Sequence, residues 1–131
     1  MKKTVHHLCI QTNNYRESLA FYQTLGFEVK LETPDFHGRD YNSWLCLNDF
    51  YIELQTGKKA EQLPKSQNSE GIAHFCLWVA SLEAAVDELS KYQDSFIQKE
   101  GSVIYQVAKT RLCKLYAPEG TIIELRDSKG I

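Results

Sequence analysis

The sequence predicts an α+β fold made of two tandem βαβββ modules, and three observations predict it. The chain repeats itself: V-H-H-L-C-I at 5–10 is matched by I-A-H-F-C-L at 72–77, which aligns His7 with His74 and Cys9 with Cys76. Each of these apolar segments runs at once into a helix signal. Both halves then close on the same tripeptide, Ile52-Glu53-Leu54 and Ile123-Glu124-Leu125.

The elements follow in order. Asn14 with Glu17, and Ser81 with Glu83, each supply an N-cap and an acidic first turn. Apolar residues then recur at helical spacing: Tyr15, Leu19, Tyr22 and Leu25 in one half, Leu82, Val86, Leu89 and Tyr92 in the other. Gly26 is placed to cap the first helix at its C-terminus. Three β-rich segments follow in each half, near 26–33, 40–48 and 50–56, then near 96–107, 110–116 and 121–126. Ala117-Pro118-Glu119-Gly120 has the proline and glycine of a type I turn feeding the last strand. The segment from Pro34 to Asp40, with His37 inside it, reads as a mobile surface loop. Module 1 takes about 1–57, a polar linker 58–70 and module 2 about 71–131, within a single domain of 131 residues.

Bulk properties narrow the function. A chain with 43% hydrophobic and 24% charged residues can build a core, and disorder is not expected. The net charge of −2, with no basic block, argues against nucleic acid or an anionic membrane as partner. No apolar run approaches the roughly 20 residues that cross a bilayer. The opening MKKTVHHLC has no apolar stretch behind its lysines, so no signal peptide is expected. Cys9, Cys46, Cys76 and Cys113 lack CxxC spacing and are expected as reduced core residues, which points to the cytoplasm.

Strand alternation sorts the polar residues. Leu8 and Ile10 oppose His7, Cys9 and Gln11; Phe75, Leu77 and Val79 oppose His74, Cys76 and Trp78. In the closing strands Ile52 and Leu54 oppose Tyr51, Glu53 and Gln55, and Ile123 and Leu125 oppose Glu124 and Arg126. The apolar faces suit the helices, which leaves two histidines and two glutamates on the other faces. A half-buried carboxylate inside a strand is costly without a compensating charge. The set His7, Glu53, His74 and Glu124 therefore points to one divalent cation, with Ni, Co or Zn favoured and Fe or Mn also suited. Two plainer readings stand beside this: glutamates facing solvent on a one-sided sheet, and histidines satisfied by backbone partners. Cys9 and Cys76 read as small apolar fillers beside the histidines, or as redox-sensitive thiols, and His6 is expected to face away from His7.

Taken together, H-H-L-C-I, S-L-A-F-Y-Q-T-L-G-F (18–27), Y-I-E-L, A-H-F-C-L-W-V and A-P-E-G-T-I-I-E-L resemble the vicinal oxygen chelate superfamily, in particular its glyoxalase I-like members. The resemblance covers nearly the whole chain. It implies the glyoxalase/bleomycin resistance/dihydroxybiphenyl dioxygenase fold, a cupped, barrel-like mixed sheet with helices outside. It also implies the same four metal ligands. Methylmalonyl-CoA epimerases usually carry glutamine at the position of Glu53, and fosfomycin-modifying enzymes and extradiol dioxygenases use three protein ligands. Bleomycin-binding proteins lack them, so four filled positions favour the glyoxalase I type. Small bacterial members are homodimers, which would draw His7 and Glu53 from one subunit and His74 and Glu124 from the other.

The activity so implied is a lyase-type isomerisation of the hemithioacetal of a 2-oxoaldehyde and a thiol to a 2-hydroxyacyl thioester. Glu124 is expected as principal base, with Glu53 as ligand and partner. Gln11 stands where glutathione-using relatives often have an arginine for the thiol's carboxylate. Lys114 shares a strand face with Tyr116 and is a candidate contact to an anionic substrate, as are Arg111 and Arg126; solvated surface residues are the plainer reading. Trp78 and Tyr51 line the pocket or pack it. Two other readings stay open: a different metalloenzyme (a thiol transferase or a dioxygenase), and a protein that binds a drug or metabolite without turnover.

Overall fold

The structure is a computed structural model and describes residues 1–59, 61–65 and 67–131. Positions 60 and 66 of the expected linker lie outside the described residues. The chain divides into two compact units, Met1–Lys65 and Ser66–Ile131.

The first unit runs β1 (His7–Thr12), α1 (Tyr15–Thr24), β2 (Glu28–Phe36), β3 (Arg39–Leu47) and β4 (Phe50–Thr56). Its strands form one mixed sheet in the order β1-β4-β3-β2, parallel between β1 and β4 and antiparallel elsewhere. The Asn14 side chain caps α1 by accepting from the Glu17 amide at 3.4 Å. At the other end Gly26 sits at φ 102°, and Phe27 N donates to Tyr22 O while Gly26 N donates to Gln23 O. This is a Schellman cap, and it needs a residue at ease in the left-handed region. Phe21, Tyr22, Leu45, Ile52 and Leu54 are fully buried where the helix covers the sheet. The alternation expected for β1 is observed: His7, Cys9 and Gln11 are exposed while Ile10 and Thr12 are buried.

The Pro34–Asp40 segment is not the loop expected. Phe36 pairs with Arg39 across a two-residue turn, with His37 and Gly38 both at positive φ, and Pro34 pairs with Tyr41 inside the strand. Pro34 is tolerated because β2 is an edge strand, where a missing N–H leaves no ladder partner unmet. Asn13 fixes the chain beyond β4 by exchanging two hydrogen bonds with the Leu63 backbone.

The second unit runs β5 (Phe75–Trp78), α2 (Leu82–Glu88), a 3-10 helix over Ser90–Ser95, β6 (Tyr105–Val107), β7 (Thr110–Tyr116) and β8 (Ile122–Arg126). The sheet order β5-β8-β7-β6 reproduces that of the first unit, again with one parallel pair, β5 with β8. Ser81 caps α2 through the Ala84 amide. The turn after β7 closes through Gly120 N to Ala117 O at 2.8 Å.

Two expectations fail here. The helix ends at Glu88, and the chain continues as a 3-10 helix with Tyr92 off helical geometry. The strand expected over 96–107 survives only as Tyr105–Val107. Lys99 and Ser102 close a tight reversal with two mutual backbone hydrogen bonds of 3.0 Å, and Glu100 and Gly101 between them lie at φ 51° and 80°. Two consecutive left-handed residues reverse the chain where a strand would have continued.

The mixed α+β architecture is thus present as two open sheets, neither closed on itself. Among the described residues no helix is long and apolar enough to cross a membrane.

Candidate metal centre

In the first unit the parallel register sets Cys9 opposite Glu53, with His7 two residues earlier on the same face. His7 Nε2 lies 3.9 Å from Glu53 Oε1. The second unit repeats the arrangement. Cys76 is opposite Glu124, and His74 Nε2 lies 3.6 Å from Glu124 Oε1, His74 standing immediately before β5.

Both separations exceed an ordinary hydrogen bond. They are close to the roughly 3.4 Å between two donors that sit about 2.1 Å from one tetrahedral ion. Imidazole nitrogen with carboxylate oxygen is also a donor set that divalent zinc, nickel, cobalt, iron and manganese accept. The residues present therefore fit such a metal. Each unit supplies two donors: among the described residues no three His, Cys, Asp or Glu side chains are grouped as a metal would need.

His7 is further held on its other side. His6 Nδ1 lies 2.9 Å from His7 Nδ1, and Trp44 meets the His7 ring edge-on at 4.9 Å. The expectation that His6 faces away is overturned. Strand β1 begins at His7, so alternation does not extend back to His6. His6 stacks instead on Tyr51 at 5.5 Å, which places Tyr51 beside the pair.

The two carboxylates differ in their neighbours. Glu53 is about one-fifth exposed and accepts from Asn42 Nδ2 through Oε2 at 3.3 Å. Glu124 is buried in β8. Arg126 Nε donates to its Oε2 at 2.8 Å, and Lys114 Nζ lies 3.7 Å from its Oε1. Burial works to raise the Glu124 pKa, but the Arg126 hydrogen bond, the Cys76 thiol and the charges of Arg126 and His74 outweigh it and hold the group below its usual range. So the charge on Glu124, which the sequence reading assigned to a metal, already meets two protein cations.

Cys46 and Cys113 are buried as expected, but Cys9 and Cys76 are exposed rather than core fillers. The Cys76 thiol donates to the Leu77 carbonyl at 3.6 Å. Burial of each sulfur and the carboxylate beside it push the two pKa values up to about 11.

The substrate candidates separate by face. Lys114 lies with Glu124, as its register opposite that residue requires. Gln11 shares the face of Glu53, and its Oε1 accepts from Arg39 Nη1 at 3.0 Å, so a guanidinium stands where the sequence lacked one. Trp78 follows Cys76 by two on the same face, about half exposed, with Lys129 Nζ 4.4 Å from its ring. Arg126 is committed to Glu124 and Thr110. Arg111 does not join the group. It has the opposite parity on β7 and is bound bidentately by Glu83 and again by Asp127, so its role is to tie α2 to the sheet.

Sequence reasoning missed Asn42, Trp44 and Arg39. Counting back from the two-residue Asn48–Asp49 turn would have set Asn42 opposite Gln55 and Trp44 opposite Glu53.

The two repeated units define a βαβββ class of protein, and sequence comparison identifies it. Residues 4–111 match the family model described as Glyoxalase/Bleomycin resistance protein/Dioxygenase superfamily, and the chain belongs to that superfamily. It is 36% identical to the uncharacterized protein YwkD of Bacillus subtilis (strain 168) over 89 residues, 66% of this chain and 70% of that one. It is 28% identical to the uncharacterized protein YaeR of Escherichia coli (strain K12) over 125 residues, 94% of this chain and 95% of that one. Among solved structures, a glyoxalase family protein from Enterococcus faecalis superposes with a TM-score of 0.75 at 23% identity, covering 95% of this chain and 98% of that one. A variant of the fosfomycin resistance protein FosX from Listeria monocytogenes, complexed with Mn(II) and 1S,2S-dihydroxypropylphosphonic acid, does so at 0.75 and 13%, covering 98% and 95%.

Proposed function

We propose that the chain is a divalent-metal lyase of the glyoxalase I type, isomerising the hemithioacetal of a 2-oxoaldehyde and a thiol to a 2-hydroxyacyl thioester. One observation carries this reading: two histidine–glutamate pairs, at equivalent places in two repeated units, with Nε2 facing Oε1 at 3.9 and 3.6 Å. His7, Glu53, His74 and Glu124 would hold the ion, with nickel, cobalt or zinc first; the Mn(II) in the Listeria protein gives manganese some weight. A divalent cation held there would supply Lewis acidity to the substrate.

The chain's own residues take the remaining roles. The resemblance implies Glu124 as the base, but Arg126 and Lys114 stabilise its anionic form. Glu53 is better suited to receive the carbon-bound proton, since among the described residues no lysine or arginine forms an ion pair with it. Arg39 beside Gln11 and Lys114 beside Glu124 are the cations that would meet a substrate carboxylate, and Trp78 offers an exposed ring. A homodimer, with His7 and Glu53 of one chain completing the site of His74 and Glu124 of another, and a cytoplasmic location go with this reading.

A second reading has its own observation. Arg126 and Lys114 compensate Glu124 without any metal, as in a protein that binds a small anion without turnover.

Elemental analysis of wild type beside His74→Ala, then a methylglyoxal-plus-thiol assay under each metal, decides between them. About one metal per chain, lost in the variant, with thioester formed, supports the lyase. No metal under any loading condition leaves the binding protein.

A further inference from the structure

We infer that Asn42 and Arg126 are equivalent positioning residues, each pinning one oxygen of its neighbouring carboxylate so that the other is presented to histidine. Asn42 Nδ2 holds Oε2 of Glu53 at 3.3 Å, and Oε1 is the oxygen facing His7. Arg126 Nε holds Oε2 of Glu124 at 2.8 Å, and Oε1 is the oxygen facing His74. This inference rests on the metal-site reading above and deepens it.

The repeat does not explain the match, because the two anchors occupy different places in it. In the first sheet Asn42 on β3 pairs with Gln55 on β4. In the second, Leu112 on β7 pairs with Arg126 on β8. Gln55 and Arg126 each follow their glutamate by two residues, so Leu112 takes the place of Asn42, and Arg126 the place of Gln55. Where the β3 position offers an amide, Gln55 turns to Gln11 at 3.4 Å. Where the corresponding β7 position is apolar, the closing strand supplies the donor itself. One function is kept while its bearer changes strand.

Asn42 has no adequate packing rationale. It is 2% exposed, and its Oδ1 is the buried side-chain oxygen without a hydrogen-bond partner among the described residues. An apolar side chain fills the equivalent place in the second unit, Leu112 being equally buried. A buried amide with half its hydrogen-bonding capacity unmet is unfavourable by itself, and the Glu53 contact is what it gains. Holding a carboxylate at one oxygen fixes the rotamer of the other, which is what a supporting residue does for a metal ligand.

The test transplants one arrangement into the other. Asn42→Leu copies the second unit and removes the anchor; Asn42→Leu with Gln55→Arg moves the anchor to the closing strand. Arg126→Gln removes the anchor of the second unit. In metal-free protein, imidazole chemical shifts by NMR should move at His7 but not His74 in Asn42→Leu, and at His74 but not His7 in Arg126→Gln. Cobalt(II) or zinc affinity by chelator competition should fall roughly 10- to 100-fold in Asn42→Leu and recover with Gln55→Arg. Asn42→Leu should unfold at or above the wild-type midpoint, since it removes an unmet polar atom, which keeps the test valid should Arg126→Gln fold poorly. Unmoved His7 shifts in Asn42→Leu, or lost affinity that Gln55→Arg does not restore, overturns the proposal. A wild type that binds no metal yet shows the paired shift changes sinks the metal reading and leaves the anchors standing.

Discussion

Glu124 carries its charge in the middle of β8 with 5% of its side chain exposed, between Arg126 and Lys114. Glu124→Gln removes the counter-charge from two partly buried cations. A fully buried pair broken on one side costs about 3–5 kcal/mol; with Arg126 and Lys114 each part exposed, a loss of about 2–3 kcal/mol is expected in urea denaturation. A variant as stable as wild type would mean that the three charges are not coupled. The pH dependence follows from the same neighbours. The folded-state pKa lies below the ordinary 4.5, so the ionised form contributes stability that is full above about pH 4.5 and is lost as pH falls through the folded value. Glu124→Gln should therefore lose less stability than wild type on acidification below about pH 4.5. At this scale the sequence disclosed a residue's face and not its partner. Alternation placed Glu53 and Glu124 with their histidines, and Arg126 on the face of Glu124, but Asn42 and Arg39 meet their partners across strands, through registers and side-chain reach that periodicity does not encode.

Among the elements, those governed by local chemistry were legible. Asn14, Ser81, Gly26 and the Pro118–Gly120 turn each act within a few residues of chain, and each forms as read. The stretch 96–107 was misread because its turn is carried by Glu100, which gives no left-handed signal, in place of asparagine or aspartate. That mismatch makes a prediction. Glu100 sits at φ 51°, a conformation costing an ordinary residue about 1 kcal/mol, and the following Gly101 completes the reversal. Glu100→Asn creates the favoured Asn-Gly pair and should stabilise the protein by about 0.5–1 kcal/mol in thermal or urea unfolding; destabilisation would show that the Glu100 side chain has an unrecognised partner. The ion cluster of Arg111 with Glu83 and Asp127 belongs to this scale too, because it joins the start of α2 to the ends of β7 and β8. It is exposed and therefore screened. Arg111→Gln should lower the melting temperature at low salt, lose that effect near 1 M salt, and leave metal affinity unchanged. A drop in metal affinity would return Arg111 to the site.

For the whole molecule, the internal repeat revealed the most, since two halves with the same strand order and the same histidine–glutamate placement can be read by aligning the chain with itself. What self-alignment cannot give is which half completes which, because a half-site from one chain is chemically the same whether its complement lies in that chain or in another. The proposed homodimer makes this a question of counting. If each metal takes His7 and Glu53 from one chain and His74 and Glu124 from its partner, then His7→Ala and His74→Ala proteins each lose both sites of their own dimers. Mixed and allowed to exchange, they form heterodimers in which both lesions fall in one site and the other site is intact. Metal binding should then reappear at up to one ion per heterodimer, with any turnover returning in proportion. If each site is built within one chain, every site in the mixture keeps one lesion and nothing reappears. Titrating zinc or cobalt into the unfolded, mixed and refolded pair, with each variant refolded alone as the control, separates the two cases, because metal bound only to the native state raises the melting temperature, with a stabilisation that grows as the logarithm of its free concentration over its dissociation constant. A metal-dependent rise in the mixture alone establishes sites shared between chains. The same rise in either variant alone shows that one histidine is dispensable, and the four-ligand reading fails with it.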